Sequence, residues 1–263
     1  MPEIGSGLTR LEINDHRADV ILNRPEKRNA LTESLMADLI EALEIADADE
    51  DVRAIALLGE GPVLCAGMDL DMMRERGEQG RADLEPGIED VTATIDDLAV
   101  PTVAGIKGAA VAGGFELVLP VDFRIIDAEA AYGVIEVRLG TFPSGGSTQR
   151  LPRLVGLSKA KELVLTGDLV DPAEAERIGL VHEVVEESGT VDDRARSWAD
   201  DLAANAPLGM QRARRMLNVA LDTPLEEGLE LERALGKELV HTDDYDEGFA
   251  ARRADREPEF EGR

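Results

Sequence analysis

TVAGIKGAAVAGGFELVLPVDFRII, residues 102–126, is the stretch that decides the fold. Thr102 to Ile106 reads as a buried strand, glycines at 108, 113 and 114 mark a turn, Phe115 to Leu119 has helical spacing, and Phe123 to Ile126 reads as a further strand. Strands separated by a helix predict a parallel βαβ layer, because parallel neighbours need a crossover connection. The stretch also carries Glu116 just after the double glycine. A second carboxylate, Glu136, stands twenty positions later in AAYGVIEVRLGTFPSGGSTQRL, residues 130–151, again beside a glycine-bearing apolar run. Two carboxyl groups held in one apolar cavity divide acid and base roles, since burial and mutual repulsion push their proton affinities apart. If the two converge, acid/base chemistry is expected.

Working outward, Leu8, Leu11 and Ile13, then Val20, Ile21 and Leu22, flank Asn14 and Asp15 as an antiparallel hairpin over 8–23. Thr32 is the expected N-cap of a helix whose Leu35, Met36, Leu39, Ile40 and Leu43 share one face up to the acidic run 47–51. Ile55 to Leu58 reads as a buried strand closed by GEGP at 59–62. The Gly/Glu-rich segment 77–87 is expected to be a surface loop, mobile or ordered on binding. From about 145 helical patterns dominate, at 148–154, 158–166 and 172–178, with one strand candidate at 180–185. Past Asp192 everything reads as helix. The expected division is an α/β core over 1–191 and a helical region over 192–263 that serves as a lid or an oligomerisation arm. No internal repeat is visible in the residues.

Composition narrows the function. The 263 residues are 43% hydrophobic, enough for a full core, and carry 55 acidic against 28 basic residues for a net charge of −27. The acids run along the whole chain and read as a solvated surface. Lysine occurs only at 27, 107, 159, 161 and 237, and acidic excess with scarce lysine reads as adaptation to high salt. A field this negative repels phosphate backbones and anionic lipid, so neither nucleic acid nor a membrane surface is an expected partner. Cys65 stands alone and is expected to be a small buried apolar residue. MPEIGSGLTR at 1–10 has no long apolar core, and no apolar run reaches spanning length, so a cytoplasmic protein is expected.

Gly113-Gly114 lies between a strand and a helix, where backbone N–H groups are left free. It matches neither the dinucleotide fingerprint nor a phosphate loop, since Phe115 and Glu116 follow it. VLCAGMDL, residues 63–70, also ends a strand and opens a helix, with Asp69 at its start. Two such turns together present two N–H groups to one carbonyl oxygen, the arrangement of an oxyanion hole.

At these residues the chain resembles the crotonase family, the enoyl-CoA hydratase/isomerase superfamily, over nearly its whole length. LNRPEKRNAL at 22–31 is similar to the family's N-terminal signature, LCAGMDL at 64–70 to its A-G-x-D-[LI] element, and GAAVAGGFEL at 108–117 to its G-x-A-x-G-G-G-x-E-L element. IEVRLGTFPSGGSTQRLPRLVG at 135–156 follows in the family's order. The resemblance implies a spiral of ββα repeats with a C-terminal helical trimerisation region, assembled as a homotrimer or a dimer of trimers. It implies an acyl-CoA ligand, no metal and no separate cofactor, with the N–H groups of Met68 and Gly113 on the thioester oxygen. It further implies substrate or CoA contacts at Ala66, Asp69, Leu70, Arg24, Gly114 and Ser144. Hydratases of the family carry both glutamates; Glu116 and Glu136 fill both positions, implying reversible addition of water across a 2-trans-enoyl-CoA double bond.

Some positions depart from the family pattern. Where hydratases commonly read P-G-A-G-G-T-Q, this chain has PSGGSTQ at 143–149, so the glycine that helps place the water is Ser144. Ala112 replaces the first glycine of a triplet, which reads as a mild change. In EGFAARRADREPEF at 247–260, Arg252 replaces an aromatic residue and Asp255 a lysine, so the CoA 3′-phosphate is left to Arg24, Lys27, Arg28, Arg252, Arg253 or Arg256. His16, His182 and His241 share no ligand spacing, and Ser144 and Ser147 lack a nucleophile elbow. Met72 and Met73 with Leu70 are candidates for the floor of an acyl pocket. Three readings stand: hydratase of short or medium enoyl-CoA, isomerase or hydratase of a branched or hydroxylated acyl-CoA, and a non-catalytic CoA-binding scaffold.

Overall fold

The computed structural model describes residues 4–75, 84–187 and 189–263. The segment 77–87, expected as a loop, lies outside the described residues except for its last four. The N-terminal hairpin forms as β1 (Thr9–Asn14) and β2 (Arg17–Leu22), paired antiparallel with Leu11 opposite Val20. Helix α1 (Glu33–Ala48) starts where expected, the Thr32 side chain accepting the Leu35 N–H at 3.2 Å, a bond that satisfies one of the open donors of the first turn. Then β3 (Ala54–Gly59), β4 (Thr102–Ile106), β6 (Phe123–Asp127) and β8 (Glu183–Val185) extend the sheet in parallel, in the order β1-β2-β3-β4-β6-β8.

Two very short strands, β5 (Ala109–Val111) and β7 (Ala131–Gly133), pair parallel in a second layer. Cys65 bridges to Ala110 and Tyr132 to Val170, prolonging that layer on both sides. Each turn of the chain therefore lays one strand in the large sheet, a few residues in the small one, and then a helix: α4 (Gly113–Val118) after β5, α5 (Ser147–Val155) after β7. This is the ββα repeat. It escapes a reading of periodicity because its second strand is three residues long and looks like glycine-rich turn.

Alternation along β3 shows how the sheet is filled. Ile55 and Leu57 point into the larger core with α1 and α3 (Ile88–Asp97), while Ala54, Ala56 and Leu58 face α8 (Val191–Ala203). On α8 the buried positions Ala195, Ala199 and Ala203 lie on one face at helical spacing and are small, so the helix lies close on the sheet; a Cβ on Gly105 would stand 3.3 Å from the Ala195 Cβ. Helix α8 opens the region expected as helical from 192 onward. Beyond it come α9 (Pro207–Val219), α10 (Leu225–Leu239) and α11 (Asp243–Ala254), with no further strand among the described residues. The remaining helices are α2 (Leu70–Glu75), α6 (Leu157–Thr166) and α7 (Pro172–Arg177).

Candidate active site

The turns 64–70 and 108–114 pack directly on each other. Cys65 N–H donates to Ala109 O at 3.0 Å and Val111 N–H to Cys65 O at 3.4 Å. Glycine is required where they touch: a Cβ on Gly114 would stand 2.5 Å from Cys65 O, and one on Gly67, whose φ is +93°, would stand 2.8 Å from Val111 O. The same packing brings Met68 beside Gly113, where a Cβ would meet the Met68 thioether at 3.4 Å. Among the described residues no backbone carbonyl accepts the N–H of Met68 or of Gly113. Cys65 is fully buried, and loss of solvent pushes its thiol up to about 12, so it stays a protonated core residue.

Glu116, on α4, is 3% exposed. Its Oε1 accepts the N–H of Gly145 at 2.9 Å and of Ser147 at 3.3 Å. Burial, and after it the charge of Glu136, pushes its proton affinity up to about 7, against the pull of these donors and of the Ser147 hydroxyl. That hydroxyl is buried beside the carboxyl but makes no bond of regular hydrogen-bond geometry. Glu136 opens a 3-10 turn, Glu136–Leu139, and is 7% exposed. Neither of its carboxyl oxygens has a hydrogen-bond partner, and burial raises its proton affinity too; the nearby N–H groups of Glu136 and Ile135 oppose this without reaching bonding geometry. The structure thus brings the two carboxyls into electrostatic contact in an apolar surround. Two carboxyls that interact in this way titrate as a coupled pair. The N–H donors on Glu116 oppose its upward shift without cancelling it, whereas Glu136 has no hydrogen-bonded donor at either oxygen.

The other sequence candidates fall in two groups. Asp69 caps α2, accepting the Met72 N–H at 3.0 Å, and its other oxygen meets Arg24 Nη1 at 2.6 Å. Although burial opposes it, these contacts hold the Asp69 carboxyl below the usual range. Arg24 is therefore engaged within the fold. Ala66 is half-buried in the same turn, its N–H on Arg28 O at 3.0 Å, and Leu70 is 72% exposed beside it, with Met72 and Met73 half-buried on α2. Ser144, by contrast, is exposed, while Ser147 is fully buried against Glu116. Of the other basic candidates, Lys27 pairs with Asp71 at 3.3 Å and Arg256 with Glu247 at 2.6 Å, all on the surface, and Arg28, Arg252 and Arg253 are exposed. His182 is packed against Phe123 and Trp198, which also touch each other, with its Nδ1 accepting the Arg124 N–H, and no cluster of metal-ligating side chains occurs among the described residues.

With this geometry in view, the comparisons with known proteins decide the family. The family model described as enoyl-CoA hydratase/isomerase matches residues 12–263. The chain belongs to the enoyl-CoA hydratase/isomerase family. It is 39% identical over 246 residues to a probable enoyl-CoA hydratase of Rhizobium meliloti, covering 93% of this chain and 94% of that one. It is 34% identical over 257 residues to the mitochondrial methylglutaconyl-CoA hydratase of Mus musculus, covering 94% and 81%. The crystal structure of an enoyl-CoA hydratase from Bacillus anthracis superposes with a TM-score of 0.93 at 31% identity, over 97% of this chain and 100% of that one. The crotonase-like fold expected from the motifs is therefore present.

Sequence reasoning missed several residues that build this family member's site. Asn29 is fully buried with a φ of +52°, and its side chain donates to Glu60 O and Val63 O at 3.0 Å each while accepting the Arg24 N–H at 2.8 Å. It fastens the signature at 22–31 to the start of the 64–70 turn. In the sequence the water-placing position is Ser144, Ser147 is weighed only as a nucleophile and Gly145 has no assigned role, so neither Gly145 nor Ser147 is expected as a donor to Glu116. Their signal was the double glycine before α5, since a Cβ at Gly145 would stand 2.8 Å from Ile88 and 3.0 Å from Glu116 Oε2. Ala112 is no mild change: its φ of +50° with ψ of −124° is a backbone region that favours glycine.

Proposed function

We propose that this family member is an enoyl-CoA hydratase that adds water reversibly across the double bond of 2-trans-enoyl-CoA thioesters. The observation that carries this reading is the coupled, buried carboxyl pair next to the turn in which Met68 and Gly113 lie side by side. Addition of water to an enoyl thioester moves negative charge onto the thioester oxygen, and two backbone N–H donors fixed there stabilise the enolate; one such donor is worth about 10² to 10³ in rate. Glu116, in its ionised form, takes a proton from water as the water oxygen bonds to Cβ. The Cα=Cβ electron pair is delivered toward the thioester, and Glu136, in its protonated form, gives its proton to Cα. The two carboxyls end with the proton exchanged between them, ready for the reverse reaction. No separate cofactor enters this scheme, coenzyme A being part of the substrate. Ala66, Asp69, Leu70 and Gly114 belong to the turns that would bind the thioester and its pantetheine arm.

A branched substrate is the second reading, favoured by likeness to the methylglutaconyl-CoA hydratase of Mus musculus. The deciding experiment follows loss of enoyl absorbance with purified protein and crotonyl-CoA, then with a branched enoyl-CoA, in low and in multimolar salt. Turnover of crotonyl-CoA supports the first reading and turnover of the branched thioester alone the second. No turnover of any enoyl-CoA sinks both and favours a CoA-binding scaffold. For assembly, we infer a homotrimer or dimer of trimers, supported by large apolar side chains left exposed in the single chain, among them Leu217, Leu221 and Leu225 at 71–79% and Leu165 at 70%. A monomer mass by light scattering would count against it.

A further inference from the structure

The segment that reaches Glu116 is held from behind by groups outside the acid/base pair. Three successive peptide units run through Ser144, Gly145, Gly146 and Ser147. The first and third turn their N–H groups to Glu116 Oε1, at 2.9 and 3.3 Å. The middle one turns its carbonyl, Gly145 O, the other way. There it accepts from Arg150 Nη1 at 3.2 Å and from the Thr92 hydroxyl at 3.2 Å, a hydroxyl shared with Glu89 O at 3.1 Å. Thr92, on α3, is 2% exposed, and Arg150, on α5, is anchored by an ion pair to Asp96, also on α3. Gly146 has a φ of +112°, and a Cβ there would collide with the Arg150 guanidinium, so this residue leaves the guanidinium its room. Two adjacent glycines have unusually free backbones, and nothing in their own chemistry keeps both N–H groups on one carboxylate oxygen.

We propose that Arg150 and Thr92 are positioning residues for the acid/base pair: their grip on the Gly145 carbonyl locks the glycine turn so that two N–H donors converge on Glu116. The inference rests on the hydratase reading for its catalytic meaning, though not for its geometry. The charged groups on the elements around Glu116 are Glu136 and Arg138 on the 3-10 turn, Glu89, Asp90, Asp96 and Asp97 on α3, Arg124 under the C-terminal end of α4, and Arg150 and Arg153 on α5, with Arg138 paired to Asp168 and Arg153 to Asp222. Of these, Arg150 is the one that holds the turn whose N–H groups meet Glu116. A carboxylate that loses fixed N–H donors binds its proton more tightly.

The test uses Thr92→Val, which keeps the shape and removes the donor, and Arg150→Gln, with Thr92→Ser and Arg150→Lys as restoring variants. The Glu116 titration is read directly by infrared difference spectroscopy on the full-length protein, with Glu116→Gln to assign the band, and the pH profile of enoyl-CoA hydration is measured alongside. The expected result is that Thr92→Val and Arg150→Gln each move the Glu116 midpoint upward by about one pH unit, a tenfold change in proton affinity. The limb of kcat that requires ionised Glu116 should move with it, KM should stay, and the Ser and Lys variants should return the midpoint toward the parent. A midpoint that does not move in either variant while the fold persists, or a loss of melting temperature alone, overturns the proposal. If no enoyl-CoA is hydrated by the parent protein, the functional reading fails, and the spectroscopic midpoint still decides the positioning role.

Discussion

A single carboxyl in this site works against the fold that holds it. Glu116 has a proton affinity raised to about 7, above that of the unfolded chain. The native state therefore keeps a proton that the unfolded state loses, and stability falls as pH rises from the unfolded value near 4.5 to about 7. Glu116→Gln should raise stability by about 2–3 kcal/mol at pH 8 and change little at pH 4, as read by urea unfolding at the two pH values. The same substitution, and Glu136→Gln, should each cut hydration by at least about 10², since each removes one proton-transfer partner. Near-parent turnover in either would remove that residue from the mechanism. Stability and activity thus move in opposite directions at one position, as expected where a site stores an unfavourable charge. Ala112 is a second residue with a local cost, because a Cβ in its backbone region is strained. Ala112→Gly should add about 1 kcal/mol, net of the extra freedom glycine gives the unfolded chain, measured by thermal unfolding.

Among elements, the attachment of the C-terminal helices depends on one buried side chain. Arg214 on α9 is 6% exposed and donates to Asp122 Oδ2 at 2.8 Å and to the carbonyls of Ile95, Asp96 and Leu98 at the C-terminal end of α3. Those carbonyls have no partner within their own helix, so the guanidinium satisfies what the helix end leaves open. Asp122 in turn accepts the N–H and hydroxyl of Thr102, at 2.8 Å each, at the start of β4. Arg214→Ala would leave a carboxylate short of its countercharge and carbonyls without donors, and should cost about 3 kcal/mol in chemical denaturation. Arg214→Lys should recover only part, because an ammonium cannot present the guanidinium fork. Arg124 does the corresponding work below α4, reaching the carbonyls of Val118, Leu119, Val121 and Leu180 from a fully buried position. No motif in the sequence marks either arginine, Arg124 lying within the expected strand 123–126 and Arg214 within the expected helical region. What made them structural was the location of helix ends, which no local pattern records.

For the molecule as a whole, the net charge of −27 is the dominant long-range term. Self-repulsion of this size opposes compaction and is screened over about 10 Å at 0.1 M salt and about 3 Å at 1 M. We propose that the protein is adapted to high salt, and its melting temperature should rise between dilute buffer and multimolar potassium chloride. A maximum in dilute buffer would refute that. No helix among the described residues is long and apolar enough to cross a membrane.

The local elements were legible because they rest on neighbours in sequence: the Thr32 cap, the β1–β2 hairpin, the alternation of β3 and the double glycine before α4 each follow from a few adjacent residues. The motifs at 64–70 and 108–117 likewise carried the family, since close approach of two backbones demands glycine at fixed places. Tertiary structure alone decided which groups share a space. It placed Ser147, rather than Ser144, against Glu116, tied Arg24 to Asp69, made second strands of what looks like turn, and set the strain at Ala112. The physical reason is that burial and hydrogen-bond direction depend on groups brought together from distant parts of the chain, while capping, pleat and glycine freedom are properties of a few consecutive residues.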